Sequence, residues 1–175
     1  ESFNTTLFQV SSVFGSGSTS TGLSVAKLNE ARRILEHYHA FDEDPMATLV
    51  IGSQQHADLR NQAQVTSSDF TKNGGVLDNG IVRKFMGFDI VVSERLPTIT
   101  DKDAKANCRG CLAFGKTGIY LGMWQDIKTE VFRRPDLSSN PWDVNTMISY
   151  GATRTQLGQV IQIAAADTTG ADITP

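Results

Sequence analysis

Three groupings in this chain of 175 residues could do chemistry. The first is residues 17–35, GSTSTGLSVAKLNEARRIL, in which two glycines bracket four small hydroxyl residues and a helical pattern follows. A phosphate-binding loop has that glycine spacing, but it continues with Lys and Ser/Thr. Here Leu23 and Ser24 hold those positions, so no lysine at that place would reach a terminal phosphate. The same residues serve as a flexible joint and a helix cap. The second grouping is Cys108-Arg-Gly-Cys111, half of a zinc site or a redox pair by spacing. On a strand, residues three apart point to opposite faces, which opposes both uses. Its bland reading is one cysteine in the core and one in a loop. The third comprises His37, His39 and His56, with acidic residues at Asp42, Glu43, Asp44, Asp101 and Asp103. No GxSxG or other nucleophile motif accompanies the histidines, and the acidic runs lack a calcium-loop pattern. These readings name no catalytic residue, metal or cofactor.

The elements that would position such groups are uneven in length. Leu28, Ala31, Leu35 and Tyr38 recur at helical steps, with Leu23 and Ile34 widening the stripe. Lys27, Glu30, Arg32, Arg33 and Glu36 fall mostly outside it, and residues 42–45 end the helix. ATLVIG (residues 47–52) reads as a buried strand, and SQQHADLRNQ as a helix capped by Ser53. Residues 67–80 are turn-rich, FDIVVSERLP is a strand stopped by Pro97, and residues 98–110 form a polar loop. CLAF and GIYLGMW read as short strands. In TEVFRRPD, Val131 and Arg133 point one way, Phe132 and Arg134 the other. Trp142, Val144, Thr146, Ile148 and Tyr150 share one face of a strand that is long by ordinary standards. The pattern is α+β: an early amphipathic helix, a compact middle, and long antiparallel strands late.

Composition sets the outer limits. Sixteen basic against nineteen acidic residues leave a net charge of −3, which does not suit non-specific nucleic-acid binding. No apolar run approaches the roughly 18 residues of a membrane span. Two cysteines do not make a disulfide scaffold. Long elements of this kind extend past one globule and present edges to neighbours, which favours an assembling structural protein over an enzyme. Arg133 and Arg134 could meet a phosphate or a partner's carboxylate, or form a charged face that deters mispairing.

Five segments in order, LSVAKLNEARRIL, VTSSDF, FMGFDIVVSERLP, GMWQDIKTEVFRRPD and SYGATR, resemble the major capsid proteins of tailed bacteriophages. The resemblance implies the Hong-Kong-97-type fold. Residues 1–22 would be the end of an N-terminal arm and a joint. Residues 23–45 and 127–167 would form a peripheral domain, with a spine helix and long strands along it. Residues 46–126 would form the axial domain, residues 98–107 its loop near the capsomer centre, and residues 168–175 a flexible tail. Only 22 residues precede the helix where the family carries an arm and an extended hairpin, so the chain reads as part of a longer subunit.

The resemblance further implies a subunit that self-assembles, in pentamers and hexamers of itself, into an icosahedral shell around double-stranded DNA. It implies weak contact with that DNA, and scaffold, portal or decoration proteins as further partners. The place would be the virion, assembled in the host bacterial cytoplasm, with no membrane, cofactor or metal. Glu94, Arg95, Arg133 and Arg134 are the charges expected at subunit contacts. The other readings are a compartment shell of the same fold around cargo enzymes, a nucleotide-dependent enzyme, and a zinc-dependent enzyme at Cys108 and Cys111.

Overall fold

The computed structural model describes residues 8–14, 19–42, 44–62, 82–136, 138–139 and 141–167. The readings above for residues 1–7, 17–18, 67–80 and 168–175, and the VTSSDF segment, lie outside these residues.

The long helix, α1, runs Val25–His37. Ser24 caps it, its Oγ accepting from Lys27 N at 3.4 Å. It stops earlier than the Asp42–Pro45 signal suggests, because His39 takes a left-handed backbone (φ 58°). His39 N then bonds Glu36 O at 3.1 Å and Ala40 N bonds Leu35 O at 3.0 Å. That pair of bonds is a Schellman ending, a turn usually made by glycine. Leu28, Ala31 and Leu35 are buried, as the stripe requires, and Lys27 is buried with them.

The helix lies against a mixed sheet of seven strands. These are β1 (Phe8–Val10), β2 (Ala47–Ile51), β3 (Lys84–Phe85), β4 (Phe88–Val92), β5 (Thr98–Ile99), β6 (Cys108–Phe114) and β9 (Val160–Ala166). The order is β1-β9-β6-β2-β4-β3, and β5 also pairs with β6. β1 runs parallel to β9 and β2 parallel to β4, and the other pairs are antiparallel. Leu49 and Ile51 of β2, Phe88 and Ile90 of β4, Cys111 and Ala113 of β6, and Ile161 and Ile163 of β9 join the α1 stripe in one core. A second helix, α2 (Ser53–Arg60), adds Leu59 to it. The β3–β4 turn is Met86-Gly87, both at positive φ (51° and 80°), and Arg32 of α1 donates to Met86 O at 2.7 Å. The FMGFD stretch is thus a two-residue hairpin docked on the helix. The segment read as a polar loop starts as strand β5 and then closes on Asp101. That carboxylate accepts from Ser12 N and Ser12 Oγ, both at 2.7 Å, and from Ser11 Oγ at 2.8 Å.

The remaining strands, β7 (Ile119–Arg133) and β8 (Trp142–Arg154), form an antiparallel ribbon of their own. GIYLGMW is therefore the first part of β7, continuous with TEVFRR, rather than a separate short strand. The alternation breaks between them because β7 carries register shifts at Met123/Gln125 and at Gln125/Lys128. Each leaves an extra residue on β7, which bends the strand without ending it. The peripheral–axial boundary expected at 126/127 falls inside β7, and β9 is a strand of the central sheet.

The base of the ribbon is fixed by close packing against the end of α1. Gly115 N donates to Gln159 O at 3.0 Å, and Gln159 Nε2 donates to Tyr38 O at 3.3 Å. Gly158 lies flat on the Tyr38 ring, where an added Cβ would stand 2.0 Å from Cγ. Gly151, mid-ribbon, has nothing within 4 Å of that position. Gly158→Ala is expected to cost about 1–3 kcal/mol by overpacking, whereas Gly151→Ala should stay within about 0.5 kcal/mol. Urea unfolding of the two variants checks this; equal effects would mean the joint is loose.

Candidate functional site

At the glycine-hydroxyl loop the polarity is the reverse of a phosphate cradle. Lys27 Nζ points inward and donates to Thr21 O at 2.7 Å, Gly22 O at 2.9 Å and Ala164 O at 3.3 Å. Three carbonyls match the three protons of an ammonium. The amides at the head of α1 are also taken: Leu23 N by Asp58 Oδ2 at 3.1 Å, Val25 N by Gln62 Oε1 at 3.0 Å. Lys27 is fully buried, and that burial lowers its pKa to about 8. Burial likewise raises the Asp58 pKa. Sequence reading set Lys27 outside the apolar stripe. The available signal was its spacing, four residues from both Leu23 and Ala31, which are buried.

Cys108 and Cys111 are both buried and unbridged on β6. Cys108 was expected in a loop; it opens the strand instead, because residues 108–114 all pair with β9. Burial pushes the Cys111 thiol up to about 12, far from a reactive thiolate. His56 Nε2 accepts from Val82 N at 3.2 Å, which requires a neutral ring, and burial lowers its pKa. His39 Nδ1 meets Asp42 Oδ2 at 3.3 Å on the surface. Among the described residues no three His, Cys, Asp or Glu side chains gather where a metal could sit.

The four charges singled out from sequence lie in two places. Glu94 and Arg95 follow β4. Glu94 Oε1 accepts from Ser53 N at 2.5 Å, so Glu94 closes the head of α2, where a Ser53 cap was expected. The N-cap position is Gly52, which has no side chain to offer. Hydrogen bonds from Ser53 hold the Glu94 pKa down. Arg109 joins Glu94 (3.4 Å) to Asp167 (2.9 Å). Arg133 and Arg134 stand at the far end of the ribbon, roughly 45 Å of extended chain from Ile119. Arg133 lies over the Trp142 ring at 5.6 Å, and Arg134 Nη2 pairs with Asp136 Oδ2 at 2.6 Å.

The largest feature is the ribbon's exposed apolar face. Directly opposed residues on an antiparallel pair share a face. The register therefore puts Ile119, Leu121, Met123 and Val131 of β7 with Trp142, Val144, Tyr150 and Ala152 of β8. Ile148 shares the β8 face by alternation. The other face carries Lys128, Glu130, Asp143 and Asn145, together with Tyr120, Phe132 and Met147. Trp142 and Tyr150 are each 67% exposed, and Trp124, set out by a bulge, is 92% exposed. Trp124 and Tyr120 flank a notch of about 420 Å³ above the paired Gly122 and Gly151. A two-stranded ribbon is marginal alone, and a contiguous apolar patch marks a contact surface. The β8 half of this face and the Val131–Arg133 end of β7 were legible in the sequence; the rest of the β7 half was hidden by the register shifts.

A family model described as "Phage capsid protein" matches residues 2–167. The chain belongs to the phage capsid protein family. Solved structures with the same fold include one of Mycobacterium phage Che8, at 17% identity and a TM-score of 0.57, covering 90% of this chain and 53% of that one. The capsid of Cyanophage P-SCSP1u matches at 18% identity and 0.57, covering 93% and 53%. The mature capsid of bacteriophage PhiM1 matches at 12% and 0.59, covering 85% and 46%. At these identities the likeness is one of fold. It agrees with the α+β, Hong-Kong-97-type expectation, and the chain spans about half the length of the capsid chains it matches. No curated protein sequence matches it. Among the described residues no helix is long and apolar enough to cross a membrane.

Within this capsid-family fold the Lys27 clamp is open to a direct test. Lys27→Met strips a donor from three carbonyls and is expected to cost about 1–3 kcal/mol. The sign of the pH effect follows from a folded pKa of about 8 against 10.5. Between those values the unfolded chain holds more of this proton, so this group's contribution to stability rises with pH. Wild type should therefore gain on Lys27→Met as pH climbs from about 8 to 10.5. Denaturant titrations at pH 7.5 and 10 measure the gap; a constant gap would contradict the buried-ammonium account.

Proposed function

We propose that this chain is part of the major capsid subunit of a tailed phage, a structural protein without catalytic function. Copies of it self-assemble through pentamers and hexamers into an icosahedral shell around double-stranded DNA, placing it in the virion. In this reading α1 is the spine helix, residues 23–45 and 127–167 are peripheral, and residues 46–126 are axial. Contact with DNA is weak, and scaffold, portal or decoration proteins are further partners. Glu94, Arg95, Arg133 and Arg134 lie at subunit contacts.

The observation that carries this reading is the apolar face of the ribbon. Magnitudes favour many modest contacts. Burying half of six such side chains gives about 5–9 kcal/mol at roughly 1.5–3 kcal/mol per fully buried side chain. Association costs about 4–15 kcal/mol. One contact of this size barely holds two copies together, and closure by symmetry supplies the rest. The chemical motifs support a structural role too, because Lys27, Cys108, Cys111 and His56 are all spent on internal packing and hydrogen bonds.

Electron microscopy of the full-length gene product, alone and with its genomic neighbours, tests the reading. Closed shells or capsomer rings are expected, and DNA inside them would separate a phage head from a cargo compartment. Val131→Asp with Val144→Asp, a directly opposed pair on the apolar face, should reduce particle yield at least tenfold while the subunit stays folded by circular dichroism. Undiminished yield would remove the ribbon face from the assembly account.

A further inference from the structure

The pairing of the ribbon is broken twice, and both breaks lie in one short segment. Five pairs run without interruption from Ile119↔Arg154 to Met123↔Tyr150, and six from Lys128↔Met147 to Arg133↔Trp142. Between them Gln125↔Ser149 stands alone. Trp124 is the extra residue on one side of that pair; on the other, Asp126 and Ile127 together face Ile148. Both extra residues belong to β7, so both bend the same strand in the same place. The pair just before the first break is Gly122↔Gly151. Neither glycine has a positive φ, and packing demands neither. An added Cβ at Gly151 meets nothing within 4 Å, and at Gly122 its nearest neighbour is Tyr120 Cε1 at an ordinary 3.6 Å. What the two glycines supply is backbone freedom, with no side chains to hold each other across the strands. The notch of about 420 Å³ beside them leaves room for movement.

On either side of this segment the ribbon is braced. Beyond it, Thr129 Oγ1 bonds Thr146 Oγ1 at 3.3 Å, Val131 faces Val144, and Arg133 lies over the Trp142 ring at 5.6 Å. Before it, Thr155 N donates to Gly118 O at 3.0 Å, and the Gln159 bonds tie the base to the end of α1. Among the described residues no third strand joins the ribbon, and none of residues 119–133 or 142–154 is buried. Its stiffness therefore comes from its own ladder and cross-strand pairs, and both are interrupted together. We propose that residues 122–127 and 148–151 form a hinge. The outer ribbon, 128–133 with 142–147, swings about it as one stiff body while the base stays fixed to α1. Collective motions of this kind run on the microsecond to millisecond scale. The apolar face is thus carried on two bodies, Ile119 to Met123 on the inner and Val131 with Val144 on the outer. Their relative angle changes without any repacking of the core. The motion belongs to the single chain and does not rest on the assembly reading.

Pulsed electron spin resonance tests this, because it reads the distance between two spin labels as a distribution over all conformers. Both native cysteines are buried, so the labels go on Lys116→Cys at the base and Asn145→Cys on the outer ribbon, both exposed positions. The labelled chain is diluted into an excess of unlabelled chain, which leaves only the distance within one copy. With the hinge intact the distribution should be broad. Gly122→Val with Gly151→Val sets a β-branched pair across the joint and should at least halve the width. Deleting Trp124 and Ile127 restores unbroken pairing along β7 and should narrow the distribution equally; it serves if the valine pair fails to fold by circular dichroism. A distribution that is already as narrow with the hinge intact would overturn the proposal. So would the full width persisting in the folded locked variants, since the motion would then lie elsewhere in the chain. The distance is read on unassembled chain, so a failure of the capsid reading, with no shells from the full-length product, leaves this result unchanged.

Discussion

A two-stranded ribbon cannot bury its own face. β7 and β8 satisfy each other's backbone groups along 12 opposed pairs, but nothing in the described chain covers the row from Ile119 to Val131 or from Trp142 to Tyr150. A stable isolated domain would fold a helix or a further strand over such a row. Here the covering surface has to come from outside the described residues, and the rest of the structure is arranged to hold the ribbon in place for it. The Gly158–Tyr38 contact and the Gln159 hydrogen bonds tie its base to the end of α1. α1 is in turn fastened to β9 and to the preceding loop by the Lys27 ammonium.

This arrangement explains why the chemical motifs led nowhere as chemistry. The loop that resembles a phosphate cradle turns carbonyls, not amides, toward a cation, and the cation belongs to the helix. The cysteine pair supplies two packing residues on opposite faces of a buried strand. Glu94, selected as an exposed charge, is half exposed yet closes the head of α2 and meets Arg109. Each is a local solution to a buried donor, acceptor or charge.

Much of the architecture was legible because periodicity is physical. The α1 stripe, the β2 run and the β8 alternation all follow from side chains repeating at the pitch of a helix or strand. What was not legible depended on partners distant in sequence. The burial of Lys27 needs Ala164, 137 residues away, and the cap of α2 needs Glu94. β7 was split in the sequence because its bulges at Trp124 and at Asp126-Ile127 break the two-residue period that marks a strand. The left-handed His39 was hidden since glycine, the usual signal for that turn, is missing there. Of the ribbon's apolar face, the β8 half and Val131 could be read and the rest of the β7 half could not.

The most direct test is electron cryomicroscopy of assembled particles at side-chain resolution. The account predicts that Val131, Val144, Ile148 and Tyr150 lie in van der Waals contact with apolar atoms of a neighbouring subunit. Particles in which that face stands open to solvent would contradict it.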